Sequence, residues 1–399
     1  MWDKLLFDFL NQIVRRGRLT LVLHDGRARA FGDGQGAGSV KVTVKDADLA
    51  RKVVLGPDMA VGEAYMDGRL EIENDDLHGF FALILSNMSQ TRNAWWQAPL
   101  ALSQRAMRRV AQANPIGKAQ RNIAHHYDLS GELYDLFLDE DRQYSCAYFE
   151  HPDMTLDAAQ AAKKRHIANK LLIEPGMRVL DIGCGWGGMA LTLAREHGAE
   201  VVGVTLSKEQ HAVATSRAEA AGLADKVDFR LCDYRNVTES FDRIVSVGMF
   251  EHVGVPHYRE YFDTVERLLT PDGIALIHTI GREKPPGVTS PFIQKYIFPG
   301  GYVPAMSEMS AAIERTGLWK TDIEVWRLHY ATTLRHWFDR FSARIDEARA
   351  IYDDRFCRMW RYYLAAAEMT FRHDGQVVYQ VQLARRQDAV PLTRDYMAE

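Results

Sequence analysis

The run Val179-Leu180-Asp181-Ile182-Gly183-Cys184-Gly185-Trp186-Gly187-Gly188 is the part of this 399-residue chain best suited to chemistry. An apolar stretch ends on an acid and then on glycines, so a buried strand gives way to a loop whose backbone can approach a ligand closely. Gly183-x-Gly185-x-x-Gly188 satisfies the dinucleotide fingerprint, which also wants an acid about 20 residues further on to hold a ribose. The next apolar run ends instead in Thr205-Leu206-Ser207, and the acid precedes the glycines at Asp181. Elsewhere Glu251-His252 follows an apolar run, and His278 interrupts another, IALIHTI. Each has a plain alternative. Charged residues are expected at a sheet rim, and a lone strand histidine is more often a satisfied core residue.

The elements that must carry these residues are legible from periodicity. From residue 177 apolar strands alternate with helical patterns: MRVLDIG, GGMALTLAREHG, EVVGVTLS, KEQHAVATSRAEAAG, KVDFRLCD, FDRIVSVG, a helix through TVERLLTPDG, and IALIHTI. Such alternation predicts an α/β domain with a mainly parallel sheet and a ligand at the strands' carboxyl ends. Residues 282–330, with PPG and FPGG, form an insertion able to cover the site, and an aromatic-rich helical tail leads to a last strand, QVVYQVQLARR. The N-terminal 90 residues form a small α+β domain. It holds an amphipathic helix with Trp2, Leu5, Leu6, Phe9, Leu10, Ile13 and Val14 on one face, closed near Gly17. Short strands follow at Leu19–Leu23 and at Val40, Val42 and Val44, then a helix-turn-strand in GPDMAVGEAYMDGRLEIE and a helix over residues 77–88. Residues 91–121 read as a basic, aromatic linker, and 122–399 as the catalytic domain.

Composition is ordinary for a globular protein, with 47% hydrophobic and 26% charged residues, which excludes a disordered or fibrous chain. No apolar run reaches the ~20 residues of a spanning helix. The N-terminus carries Asp3 and Asp8 within its apolar stretch, unlike a secretory signal. Cys146, Cys184, Cys232 and Cys357 show no metal-like spacing, so no metal is expected and a reducing cytoplasm is the simplest location. The charge is uneven. Residues 1–125 hold 17 basic against 13 acidic side chains, and no acid occurs from residue 77 to 127, a stretch that includes Trp95-Trp96. Basic residues beside interfacial aromatics predict peripheral attachment to an anionic membrane surface. A solvated basic helix over an ordinary core is the plain alternative. Nucleic acid is not expected, because no reading motif accompanies the charge.

The loop alone leaves three readings: an S-adenosylmethionine (SAM) methyltransferase site, a dinucleotide site, and glycines serving only the turn. The acid before the glycines and Leu269-Thr270-Pro271-Asp272-Gly273 ahead of a late strand favour the first. Several longer segments narrow it further. NIAHHYD at 122–128, QYSCAYF at 143–149, VLDIGCGWGG, GVTLSKEQ, FDRIVSVGMFEHVG, IHTIG, KYIFPGGYVP and HYATTLRHW resemble the cyclopropane-fatty-acyl-phospholipid and mycolic acid cyclopropane synthases, over about residues 122–385. GEAYMDGRLE resembles the extra N-terminal domain of the phospholipid-acting members.

The resemblance implies a Rossmann-like SAM-dependent methyltransferase fold and the transfer of a methylene group from SAM to cis double bonds of phospholipid acyl chains. It implies bicarbonate as the base, bound by Cys146, Glu251, His278, Tyr330 and the backbone of Ile280. It implies SAM contacts from Tyr144, Ser145, Val179, Asp181, Gly183, Gly185, Gly187, Thr205, Leu206, Ser207, Gln210, Tyr234 and Arg235, with Thr205 and Gln210 replacing the ribose carboxylate and Tyr234 bordering adenine. His125 and His126 would be structural near the pocket mouth. The expected partners are membrane phospholipids, and a homodimer is compatible with the family. Where many members carry a late-helix cysteine this chain has Ala367, so cysteine nucleophilic catalysis is not expected. Two rivals are a lipid C-methyltransferase giving branched or methylene chains and a non-catalytic lipid-binding protein.

Overall fold

The computed structural model describes residues 1–36, 38–90 and 131–398. Trp95-Trp96, the linker at 91–121 and the segment 122–128 lie outside the described residues. The chain packs as two compact units: Met1–Gln104 with Ser290–Ile297 and Ala331–Gly375, and Arg105–Thr289 with Phe298–Tyr330 and Gln376–Glu399. The stretch expected to form one catalytic domain, 122–399, is therefore shared between the two.

In the first unit the helix Trp2–Ile13 buries Leu6 and Leu10 and packs on the helix Leu49–Leu55, beside a four-stranded sheet in the order β2-β1-β3-β4. The strands are β1 (Arg18–Val22), β2 (Ala28–Phe31), β3 (Ser39–Val44) and β4 (Leu70–Ile72). Strand β2 and the helix Leu49–Leu55 were not expected from periodicity. The Asp25-Gly26 turn, with φ +84° at Gly26, is the hairpin signal that announces β2. The sheet side of this unit encloses an apolar cavity lined by Leu6, Leu10, Leu21, Val42, Val53 and Phe80 among others.

The GEAYMDGRLE segment explains why late pieces of chain join this unit. Gly62, on the helix Pro57–Met66, lacks a Cβ that would stand 2.5 Å from the Phe292 ring, so that ring packs directly on the helix. Glu63 accepts from Lys295 at 2.6 Å and from the Tyr296 hydroxyl at 2.7 Å. Tyr65 and Phe81 both pack on Tyr362 of the helix Asp354–His373, at 5.7 and 4.9 Å between ring centroids. Arg355 donates to Asp67 at 2.8 Å. Burial of these apolar faces outweighs sequence distance.

The second unit is a seven-stranded sheet in the order β10-β11-β9-β8-β5-β6-β7. Strands β5 (Arg178–Ile182), β6 (Glu200–Thr205), β7 (Val227–Leu231), β8 (Phe241–Val247) and β9 (Leu269–Arg282) are parallel, while β11 (Gln376–Ala384) runs antiparallel between β9 and the outer strand β10 (Trp319–Trp326). Alternate residues enter different cores: Leu180, Val202 and Ile244 on one face, Val179, Val201 and Val245 on the other. Both faces are covered, as parallel sheets require. Strand order reverses between β5 and β8, which opens a crevice at their carboxyl ends.

Candidate active site

The crevice holds a cavity lined by Gly183 and Gly185 after β5, Thr205, Leu206 and Gln210 after β6, Tyr234 and Arg235 after β7, and Met249 and His252 after β8. The glycine loop is held open by backbone conformation. Gly183, Gly185 and Gly187 have φ of 81°, 55° and 84°, the left-handed region that side chains avoid. A Cβ at Gly185 would meet no protein atom within 4 Å, so this glycine faces open space, whereas one at Gly187 would stand 2.5 Å from Phe229. Gly185 keeps the cavity clear; Gly187 lets the helix and sheet approach.

The polar rim is ordered before any ligand arrives. Thr205 Oγ1 donates to Gln210 Oε1 at 3.0 Å, and Ser207 Oγ caps the helix Lys208–Ala220 by accepting from Gln210 N. Asp233 accepts both the backbone and guanidinium of Arg235, at 2.7–3.0 Å. Tyr234 packs edge-on to Tyr261 at 5.5 Å and borders the cavity. Asp181 is buried with Oδ2 unpartnered, and burial alone pushes its carboxyl up to about 7. Val179 lies in the core on one sheet face, and Tyr144, Ser145, Asp181, Gly187 and Ser207 are not among the lining residues. Gly248, Met249 and Val253 line the cavity without having been singled out in the sequence.

Next to this cavity, β8 runs into the turn Phe250–His252, and the Val247↔His278 register with β9 brings Glu251 beside the end of that strand. Ile280 N–H donates to Glu251 Oε1 at 2.7 Å. Glu251 Oε2 is buried and makes no hydrogen bond of normal geometry; the Thr279 hydroxyl, turned to the Ile280 carbonyl at 3.2 Å, contributes least to its environment. Burial pushes the Glu251 carboxyl up to about 7. His278 is buried on β9, and desolvation, reinforced by Lys163 and Lys170, holds its imidazole well below the ordinary range.

The remaining candidates converge through the helix Leu156–Leu171. Gln160 donates to the carbonyls of Gln143 and Ser145 at 3.1 and 3.0 Å, and buried Lys163 donates to Gln143 Oε1 at 2.7 Å and Ser145 Oγ at 2.8 Å. This fixes the segment that carries buried Cys146. Phe149 N in turn donates to His329 Nδ1 at 3.1 Å, which ties the same segment to the start of the helix His329–Ala343, where buried Tyr330 lies. Glu251 and Ile280 thus meet at the carboxyl ends of β8 and β9, with His278 two residues before Ile280 on β9, while the segments carrying Cys146 and Tyr330 are joined by the Phe149–His329 bond. Gln160, Lys163, Lys170 and Gln380 were missed because nothing in a helical or strand pattern marks a polar residue as buried. Cys357 is buried on a helix of the first unit, and burial raises its thiol, which suits an inert side chain.

An open α/β sheet with a glycine loop, an acid at the strand end and a cavity at the switch point defines the SAM-dependent methyltransferase class. Comparison with known proteins narrows the class. The model of the mycolic acid cyclopropane synthetase family matches residues 116–381, and a domain family of unknown function matches residues 7–93. The chain is 39% identical over 355 residues to the cyclopropane-fatty-acyl-phospholipid synthase of Escherichia coli, covering 88% of this chain and 89% of that one. It is 37% identical over 394 residues to the tuberculostearic acid methyltransferase UfaA1 of Mycobacterium tuberculosis, covering 94% and 90%. Among solved structures, the cyclopropane synthase MmaA2 from Mycobacterium tuberculosis superposes with a TM-score of 0.64 at 34% identity, covering 68% of this chain and 99% of that one. Mycolic acid cyclopropane synthase CmaA1, solved with SAH and CTAB, also gives 0.64, at 33% identity over the same shares. The chain belongs to the mycolic acid cyclopropane synthetase family. It is a SAM-dependent enzyme of the cyclopropane synthase type.

Proposed function

We propose that this enzyme converts cis double bonds in the acyl chains of membrane phospholipids to cyclopropanes, with bicarbonate as the base. The observation that carries the reading is Glu251, a buried carboxyl anchored by Ile280 N–H with its second oxygen unpartnered. Such an oxygen fits a small anion bearing one O–H, which Glu251 would accept while His278 and Tyr330 donate to the anion's other oxygens. When bound, SAM would supply an electrophilic methyl group to the alkene, and bicarbonate would supply the base for the proton lost as the ring closes. Glu251, poised near neutrality, strengthens that base. Gly183, Gly185 and Leu206 would admit the SAM body, with Gln210 and Tyr234 lining the part of the cavity assigned to its ribose and adenine.

The first unit is the lipid-engaging part and holds the enzyme at the membrane's inner face. Its amphipathic first helix and apolar cavity support this, together with the acid-free stretch of the sequence. Among the described residues no helix is long and apolar enough to cross a membrane. A second reading, methylation without ring closure, is favoured by the likeness to UfaA1. Incubation with SAM and vesicles of cis-unsaturated phospholipid, followed by proton NMR of the acyl products, decides between them. Ring methylene signals are expected; exomethylene or branched-methyl signals would overturn the cyclopropane reading.

A further inference from the structure

We infer that Gln380, itself oriented by Lys170, dictates which ring nitrogen of His278 carries the proton, so that His278 offers its Nε2–H to the site. Gln380 and His278 are direct partners in the β11–β9 register, so their side chains stand side by side on one face of the sheet. Lys170 Nζ lies 2.9 Å from Gln380 Oε1, and Gln380 Nε2 lies 3.1 Å from His278 Nδ1. The direction of each bond follows from donor inventory. A lysine ammonium only donates, so the amide atom facing it is the carbonyl oxygen. The amide nitrogen therefore faces His278, and because it too only donates, Nδ1 must accept. A neutral imidazole that accepts at Nδ1 carries its proton on Nε2.

The surroundings leave no other state. An imidazolium would set an N–H against the Gln380 N–H₂. Lys163, Lys170 and His166 also oppose a positive ring; Glu324 favours one but is bonded to both Lys170 and His166. The ring plane is fixed by Trp326, edge-on at 5.1 Å. Lys170 is a fully buried ammonium, and burying such a charge costs several kcal/mol before pairing. Glu324 and the Gln380 carbonyl are what hold it there, and the helix Leu156–Leu171 brings Lys170 to the same side as Lys163, two turns away. Gln380 is thus a positioning residue that acts through His278. The inference rests on the reading of His278 as a donor to the bound anion, because only a fixed Nε2–H can serve there.

The test uses the full-length enzyme with ¹⁵N-labelled histidine rings. Two-bond N–H correlation spectra report the tautomer, and the signals absent from His278→Gln identify the residue. The wild type is expected to have a protonated Nε2 and a bare Nδ1 at neutral pH. Gln380→Glu keeps the shape and the Lys170 contact but turns the neighbouring group into an acceptor, so the proton should move to Nδ1 or the ring become charged. Ring formation should then lose at least ~100-fold in kcat, wrong-tautomer losses elsewhere reaching ~10⁴, with KM for SAM little changed. A wild-type ring protonated on Nδ1 would overturn the inference even if the variant failed to fold. So would a Gln380→Glu enzyme that kept the wild-type tautomer and full turnover. Full turnover by His278→Gln would instead overturn the role of His278, while the tautomer spectrum would still report on Gln380.

Discussion

Glu251 reaches across from the end of β8 to take the backbone N–H of Ile280, a residue on the neighbouring strand β9, at 2.7 Å. This contact leaves one oxygen pinned and the other buried without a partner of normal geometry. Glu251→Gln preserves the shape and removes the charge. Cyclopropane formation is expected to fall at least ~100-fold, the scale of general-base losses, with SAM affinity unchanged by calorimetry. Full ring formation by the variant in bicarbonate-depleted buffer would refute the assignment.

The same carboxyl gives a pH signature. Its folded-state value is raised from 4.5 to about 7, so the folded chain holds a proton that the unfolded chain releases between those values. Stability from this group is therefore present at low pH and lost as pH rises through that window. In bicarbonate-free buffer Glu251→Gln should melt higher than the wild type at pH 8, and the difference should vanish near pH 4. Parallel melting curves at the two pH values would contradict the burial of an unpaired carboxyl.

Gly185→Val places a branched side chain in the open space of the cavity and at a φ of 55°, where β-branched residues are strained. SAM binding should disappear from calorimetry while the circular dichroism of the fold persists. Near-normal affinity would mean that the cavity at the switch point is not where SAM sits.

Gly62→Ala tests the first unit. In an open helix the change would stabilise by up to ~1 kcal/mol. Here the new Cβ would stand 2.5 Å from the buried Phe292 ring, and overpacking of that kind costs about 1–3 kcal/mol. Sterics should win, lowering the denaturant midpoint. A raised midpoint would show that Phe292 yields freely.

Replacing Trp95 and Trp96 with Ser should weaken sedimentation with anionic vesicles, because interfacial binding draws on apolar burial as well as charge. SAM affinity should not change. Equal vesicle binding by the variant would remove these residues from the membrane contact.

The parallel sheet was legible because buried strands and their helices write their periods plainly, as in MRVLDIG and FDRIVSVG. The glycine loop was legible for a different reason: Gly183 and Gly185 sit at backbone angles few other residues accept. Glu251 and His278 could be named only through resemblance, since a carboxyl past a strand end and a histidine within one have commoner uses. Strand β10 was hidden in the expected insertion, where Trp319-Lys320-Thr321-Asp322 breaks the apolar pattern. The packing of 331–375 with the N-terminal elements was invisible, because it depends on Gly62 and Tyr65 meeting rings nearly 300 residues away in the chain. Lys163 and Lys170 were missed because their burial is bought by partners that no local pattern predicts.

The donor that anchors Glu251 belongs to the main chain, so the side chain at position 280 has no duty in that contact. Strand alternation nevertheless places it on the same face as His278, two residues earlier. Position 280 is therefore a steric dial set beside the charged machinery. Exchanging Ile280 for Val, Leu or Met would reshape the space beside His278 while leaving the carboxyl's anchor in place.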